Sequence, residues 1–183
     1  MPPRTRARLL AASLLILLSA CGVAAPTPFA RSQRIPMGAC EISVSHAESV
    51  AASTFSELAP GLPMSGKQIL SVFFGVDGLE PAAAGRVRPL FMGFKVTDSE
   101  GRTYPGLLPM PAREYRMAMS GASVRTWGDY KAWESWMPTD SPIPREWVFL
   151  FLLPDDSRGL TVLIENPEHR AGQPERASIP LGR

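Results

Sequence analysis

Nineteen prolines and fifteen glycines are many for a helical protein and natural for a strand-and-turn one, and no convincing long amphipathic helix stands out in the chain. What they leave is a series of short apolar segments, the pattern of a strand-and-turn protein. Cys40, Ile42, Val44 and His46 alternate with Glu41, Ser43 and Ser45, the period of a half-buried strand. Residues Ile69 to Val76 are apolar on both faces and read as a central strand. Leu90 to Thr97 predicts a third, followed by the turn Asp98-Ser99-Glu100-Gly101 with glycine in last place. Arg102 to Tyr104 returns as a short strand stopped by Pro105-Gly106. Trp147 to Leu153 is ended by Pro154-Asp155-Asp156 and predicts a hairpin with Leu160 to Glu165. Ala177 to Leu181 closes the series, with Pro180 confining it to an edge. The fold class expected is all-β: an immunoglobulin-like antiparallel β-sandwich of about seven strands over residues 37–183. A small closed barrel is the alternative.

One stretch departs from this rhythm. Leu107 to Glu146 holds Met110, Met117, Met119 and Met137, three of the four tryptophans (Trp127, Trp133 and Trp136), and Pro138, Pro142 and Pro144. A structureless loop of that length is unusual inside a compact domain. An irregular excursion with one short helix is expected, capped at Thr126-Trp127-Gly128-Asp129 and packed over the sandwich. Trp127, Trp133 and Trp136 are the candidate partner-binding residues. Buried, they would plug the sandwich; exposed, they would form a protein, peptide or glycan contact. The plug is the favoured reading, because large exposed aromatic patches are rare.

The first 20 residues read as a secretory signal: Arg4, Arg6 and Arg8, then the apolar run Leu9 to Leu18, then small residues. The tetrapeptide Leu18-Ser19-Ala20-Cys21 resembles the lipobox of bacterial lipoproteins. The resemblance implies that the Cys21 thiol receives a diacylglyceryl group and that the chain is cut before it. Two acyl chains make a stable anchor where one is only reversible. A spanning helix is the first alternative, but Leu9 to Ala25 is 17 residues, short of the roughly 20 required. Cleavage after Ala25 is the second, and it would put the rigid ring of Pro26 in the first mature position. The domain layout is then signal peptide over 1–20, lipidated Cys21 and flexible tether over 21–36, and the body over 37–183. The location expected is the cell membrane or outer membrane, with the domain outside the cytoplasm. Gly22 after the lipidated residue resembles the pattern that permits outer-membrane export.

Removing the signal takes away three arginines and leaves 16 Lys and Arg against 17 Asp and Glu, a formal charge of −1. A near-neutral chain with mixed signs has no electrostatic footprint for nucleic acid. With Cys21 lipidated, Cys40 is alone, so no intrachain disulfide forms. A buried thiol acting as a small hydrophobe is the main reading of Cys40; a reactive thiol is the other.

The order of features resembles a known family. A strand near the N-terminus precedes Gly66-Lys67 and the strand Ile69 to Val76. A later strand runs into Val96-Thr97-Asp98-Ser99-Glu100-Gly101-Arg102-Thr103-Tyr104, and a final one, Trp147 to Leu153, ends in Pro154. This resembles the telokin-like, immunoglobulin-fold domains of unknown function on secreted and lipid-anchored bacterial proteins. The most specific part is Asp-Ser-x-Gly-x-x-Tyr over Asp98 to Tyr104, a hairpin turn plus an aromatic anchor. Where the family has an Asn-rich loop, this chain has Asp77-Gly78-Leu79-Glu80-Pro81. The resemblance implies a fold and brings no catalytic residue set.

Other constellations are weaker. Gly61-Leu62-Pro63-Met64-Ser65-Gly66-Lys67 matches most of a phosphate-binding loop, but Gln68 stands where Ser or Thr should hold Mg²⁺, and a strand pattern follows where a helix is needed. Nucleotide is not an expected ligand. Met110, Met117, Met119 and Met137 with His46 and His169 offer soft ligands for Cu(I), although methionine more often fills irregular apolar gaps. No Gly-x-Ser-x-Gly elbow is present, and Asp155-Asp156 reads as a solvated turn. The function expected is a non-enzymatic, lipid-anchored module that binds or braces envelope components, without a cofactor. Its partners are membrane lipid through Cys21 and an envelope protein. A Cu(I) or small-ligand carrier using residues 107–146 is the alternative, and an envelope hydrolase a distant third.

Overall fold

The computed structural model describes residues 25–52, 63–78, 93–120 and 145–182. Among them are ten strands and one helix. The strands are β1 (Thr27–Pro28), β2 (Ile35–Met37), β3 (Cys40–Ala51), β4 (Lys67–Asp77), β5 (Phe94–Thr97), β6 (Thr103–Pro105), β7 (Leu108–Pro111), β8 (Glu146–Pro154), β9 (Thr161–Glu165) and β10 (Arg176–Pro180); α1 is Ala112–Met119. They form two five-stranded sheets, β1-β10-β9-β5-β6 and β2-β3-β4-β8-β7. The chain crosses between sheets four times, so each sheet is assembled from distant parts of the sequence. The architecture is a β-sandwich, as the strand pattern predicts.

Alternation fills the space between the sheets. Leu70, Val72, Phe74 and Val76 of β4, Trp147, Phe149, Phe151 and Leu153 of β8, and Phe94, Val96, Val162, Ile164, Ala177 and Ile179 of the other sheet form one buried cluster. Phe94 and Phe149 stack at its centre, with centroids 5.3 Å apart. A second cluster lies on the opposite face of the β4–β8 sheet: Ile69, Phe73, Val148 and Leu150 beneath Ala112 and Tyr115 of α1. This explains why β4 is apolar on both sides. It is the middle of three layers.

The helix α1 sits near the start of the irregular excursion, in a segment for which no helix was expected. Ala112, Tyr115 and Met119 fall on one face, at helical spacing, and pack on that outer layer. The helix expected around Thr126 to Met137 lies outside the described residues, as do Leu90 to Met92 of the third predicted strand.

Prolines mark the sheet edges. Among the described residues each edge strand carries at least one: Pro28 in β1, Pro105 in β6, Pro36 in β2, and Pro109 and Pro111 in β7. A proline has no amide to donate, so these edges are poor templates for another strand. That accounts structurally for part of the proline count.

Four expectations are corrected. β8 and β9 do not form a hairpin, because β8 is already paired on both sides, by β4 and β7, and β9 joins the other sheet. The C-terminal strand is not an edge; β1 pairs with it in parallel at Ala177 and Ser178. The stretch expected as a tether is attached from Thr27 onward, and Ile35 is fully buried. Finally, His46 does not continue the core face of β3. Val44 pairs with Phe74 and His46 with Phe73, so Ser45 is an extra residue. This bulge moves His46 to the outer face and puts Ala47 in the core.

Candidate functional site

The outer face of the β4–β8 sheet holds a buried polar chain. Ser71 is fully buried within the apolar run of β4, so its hydroxyl requires a partner there. Ser71 Oγ donates to the Tyr115 hydroxyl at 2.9 Å, and Tyr115 donates to Glu48 Oε1 at 2.7 Å. Burial, with the Glu48 carboxylate accepting the hydrogen bond of the protonated phenol, keeps the Tyr115 hydroxyl well above its ordinary pKa. The phenol is therefore a fixed donor that fastens α1 to the sheet. Phe73 meets the Tyr115 ring edge-on at 5.3 Å, and His46 stacks on Phe73 at 4.0 Å. The sequence carried one signal of this arrangement, the lone serine inside Ile69–Val76.

A second polar node closes the β5–β6 corner. The Asp98 side chain is fully buried and accepts from four donors. Glu100 and Arg102 amides reach Oδ1 at 3.0 and 2.9 Å, while Arg102 Nε and the Tyr104 hydroxyl reach Oδ2. Burial alone would raise the carboxyl pKa; the hydrogen bonds from Arg102, Tyr104 and the two amides outweigh it and hold the pKa below the ordinary value. Ser99 N–H donates to the Arg158 carbonyl at 2.9 Å, tying this hairpin to the β8–β9 crossover. The turn and its tyrosine anchor are those predicted, with the carboxylate as hub. All of its acceptor capacity serves the corner, which suits a clasp better than a general base.

A shallow polar cleft of about 450 Å³ lies at the opposite end of the sandwich. Arg34 bridges Glu41 at 3.1 Å and Asp77 at 3.7 Å along one wall. Across from it, Gln173 grips the β2–β3 turn. Its Oε1 accepts the Gly38 amide at 2.9 Å and its Nε2 donates to the Gly38 carbonyl at 3.0 Å. Gly38 has φ +61°, which glycine tolerates in the first place of a two-residue hairpin. Behind Gln173, Asn166 donates to the Pro174 carbonyl, and its buried Oδ1 has no partner among the described residues. The exposed Arg170 completes the lining.

The predicted site residues fall as follows. Cys21, Trp127, Trp133, Trp136 and Met137 lie outside the described residues. Cys40 is buried and its thiol donates to the Met37 carbonyl at 3.3 Å. Burial, then the nearby Glu168 charge, pushes its pKa up to about 11, the behaviour of an inert packed thiol. Met110 and Met119 belong to the outer apolar layer, and Met117 lies on α1. His46 is on that sheet face, whereas His169 sits in the β9–β10 loop, 3.6 Å from Glu175. Among the described residues, no three His, Cys, Asp or Glu side chains converge as metal ligands. Pro63 to Lys67 is a turn entering β4, with no helix after it. Asp155 and Asp156 are an exposed turn.

Fold and layering define a two-sheet β-sandwich with a helix laid on one sheet. No protein-family model matches the chain, and no curated protein matches it at a significant level. Among solved structures it is similar to an uncharacterised β-sandwich protein from Clostridium difficile 630, at 10% identity. That likeness covers 87% of this chain and 97% of the other, with a TM-score of 0.48.

Proposed function

We propose that this protein is a lipid-anchored envelope lipoprotein whose sandwich body binds or braces other envelope components and carries out no reaction. The observation that carries the reading is Leu18-Ser19-Ala20-Cys21 behind a basic head and an apolar run. Two features of the body are consistent with it. The conspicuous polar side chains, Ser71, Tyr115, Glu48 and Asp98, are engaged in holding elements together. The proline-bearing edges favour recognition through faces and loops over strand addition. The resemblance to telokin-like domains of bacterial lipoproteins belongs to this same proposal.

Labelled palmitate tests the anchor. The wild-type chain expressed in a host that processes lipoproteins incorporates the label and sediments with membranes. Cys21→Ala incorporates none and loses most of its membrane association. Equal labelling of both chains would end the proposal. For the binding role, Trp127→Ala, Trp133→Ala and Trp136→Ala separate the two readings of that cluster: an unchanged melting temperature with lost cross-linking to an envelope partner identifies a contact surface, and heavy destabilisation identifies a plug.

A further inference from the structure

The length of chain between Cys21 and the first strand restricts how such a body can stand on a membrane. Cys21 and Thr27 are six residues apart, a reach of at most about 20 Å when fully extended. The body is longer than that. β3 alone has twelve residues, about 40 Å at a strand's usual rise.

The point of attachment is at one end. Thr27 pairs with Ala177 at the beginning of β10, beside the loop 166–175. Gln173 of that loop holds Gly38 of the β2–β3 turn. Glu41 is opposite Asp77 and Glu146 opposite Gly75, which brings Gly78 and Arg145 to this same end. The polar cleft opens here. The far end carries the pairs Lys67–Pro154 and Thr97–Thr161, with the turns at 98–102 and 155–159.

We infer that the end formed by the Gly38–Ala39 turn, Gly78, Arg145 and the loop 166–175 is the surface this protein presents to the lipid headgroups. This rests on the anchor reading above. With the acyl chains in the bilayer and so little slack, the body cannot invert to stand on its far end. Arg34, Arg145, Arg170 and Arg176 at the near end are offset by Glu41, Asp77, Glu168 and Glu175, so the short tether, and not a polybasic patch, fixes the orientation. It therefore persists at high salt, where screening removes weak electrostatic contacts.

Fluorophores on single introduced cysteines test this in the full lipidated chain, reconstituted in phosphatidylethanolamine/phosphatidylglycerol vesicles whose headgroups carry a nitroxide quencher. Ala39→Cys and Ala171→Cys report on the near end, Glu100→Cys and Asp156→Cys on the far end; all four positions are exposed, whereas native Cys40 is buried. Quenching several-fold stronger at both near positions, unchanged by added salt, is the expected result. Equal quenching at the two ends, or stronger quenching at the far one, overturns the inference and leaves the anchor standing. A full chain that fails to float with vesicles overturns the anchor reading, and the inference falls with it.

Discussion

Single residues carry much of the fit between the sheets. At Gly106 the chain passes from β6 in one sheet to β7 in the other, against the aromatic core. A Cβ there would collide with the Phe149 ring, and the buried Phe149 ring is stacked on Phe94 and Phe151. Gly106→Ala is thus expected to cost about 3 kcal/mol, the upper range for overpacking, read as a lower denaturant midpoint at unchanged slope. Asp98 gives a pH dependence of definite sign. Its folded-state pKa lies below the ordinary value, so its contribution is complete above the unfolded carboxyl pKa of about 3.9 and is lost as pH falls through the folded value. Melting temperatures measured from pH 5 down to pH 2 should fall more steeply in the wild type than in Asp98→Asn. Parallel slopes would show that the carboxylate is not the hub of that corner.

At the scale of elements, the central question is what holds α1 to the outer face of the β4–β8 sheet. The helix begins after Pro111 with no side-chain cap, and eight residues are too few for an isolated helix to persist in water. Its stability is tertiary. Tyr115 supplies both the edge contact with Phe73 and the bond between Ser71 and Glu48. Tyr115→Phe keeps the ring and leaves a fully buried serine hydroxyl without its partner, so a loss of about 1–3 kcal/mol is expected. Amide hydrogen exchange should accelerate most within α1. Uniform acceleration over both sheets would contradict this role for the tyrosine.

The same elements mark what the sequence could reveal. β3, β4, β8 and β9 were legible because alternation and continuous apolarity are local signals. β7 was hidden because Pro109 and Pro111 suppress strand propensity, and only pairing with β8 makes the segment a strand. β1 and β2 were hidden for a similar reason: each is short, carries proline, and depends on a partner that follows in sequence. The misplaced hairpin shows a different limit. A tight turn after β8 permits either a hairpin or a crossover, and the choice depends on whether both edges of β8 are occupied. Likewise, the Ser45 bulge depends on cross-strand register, which period-2 reading of one strand does not contain. The Asp98–Tyr104 corner was legible as a turn with an anchor, whereas the Tyr115–Ser71–Glu48 chain joins residues distant in sequence.

On the scale of the whole molecule, a layered sandwich with proline in each described edge strand follows a segment that the proposed reading takes as a leader ending at a lipid-acceptor cysteine. The account stands or falls on Cys21, since the envelope role and the orientation both follow from it. Intact-mass and peptide mass spectrometry of the protein recovered from host membranes tests this most directly. An N-terminal peptide beginning at Cys21 and bearing a diacylglyceryl group is the predicted result. A mature chain beginning at Pro26, or an uncleaved chain with an unmodified Cys21, would contradict it.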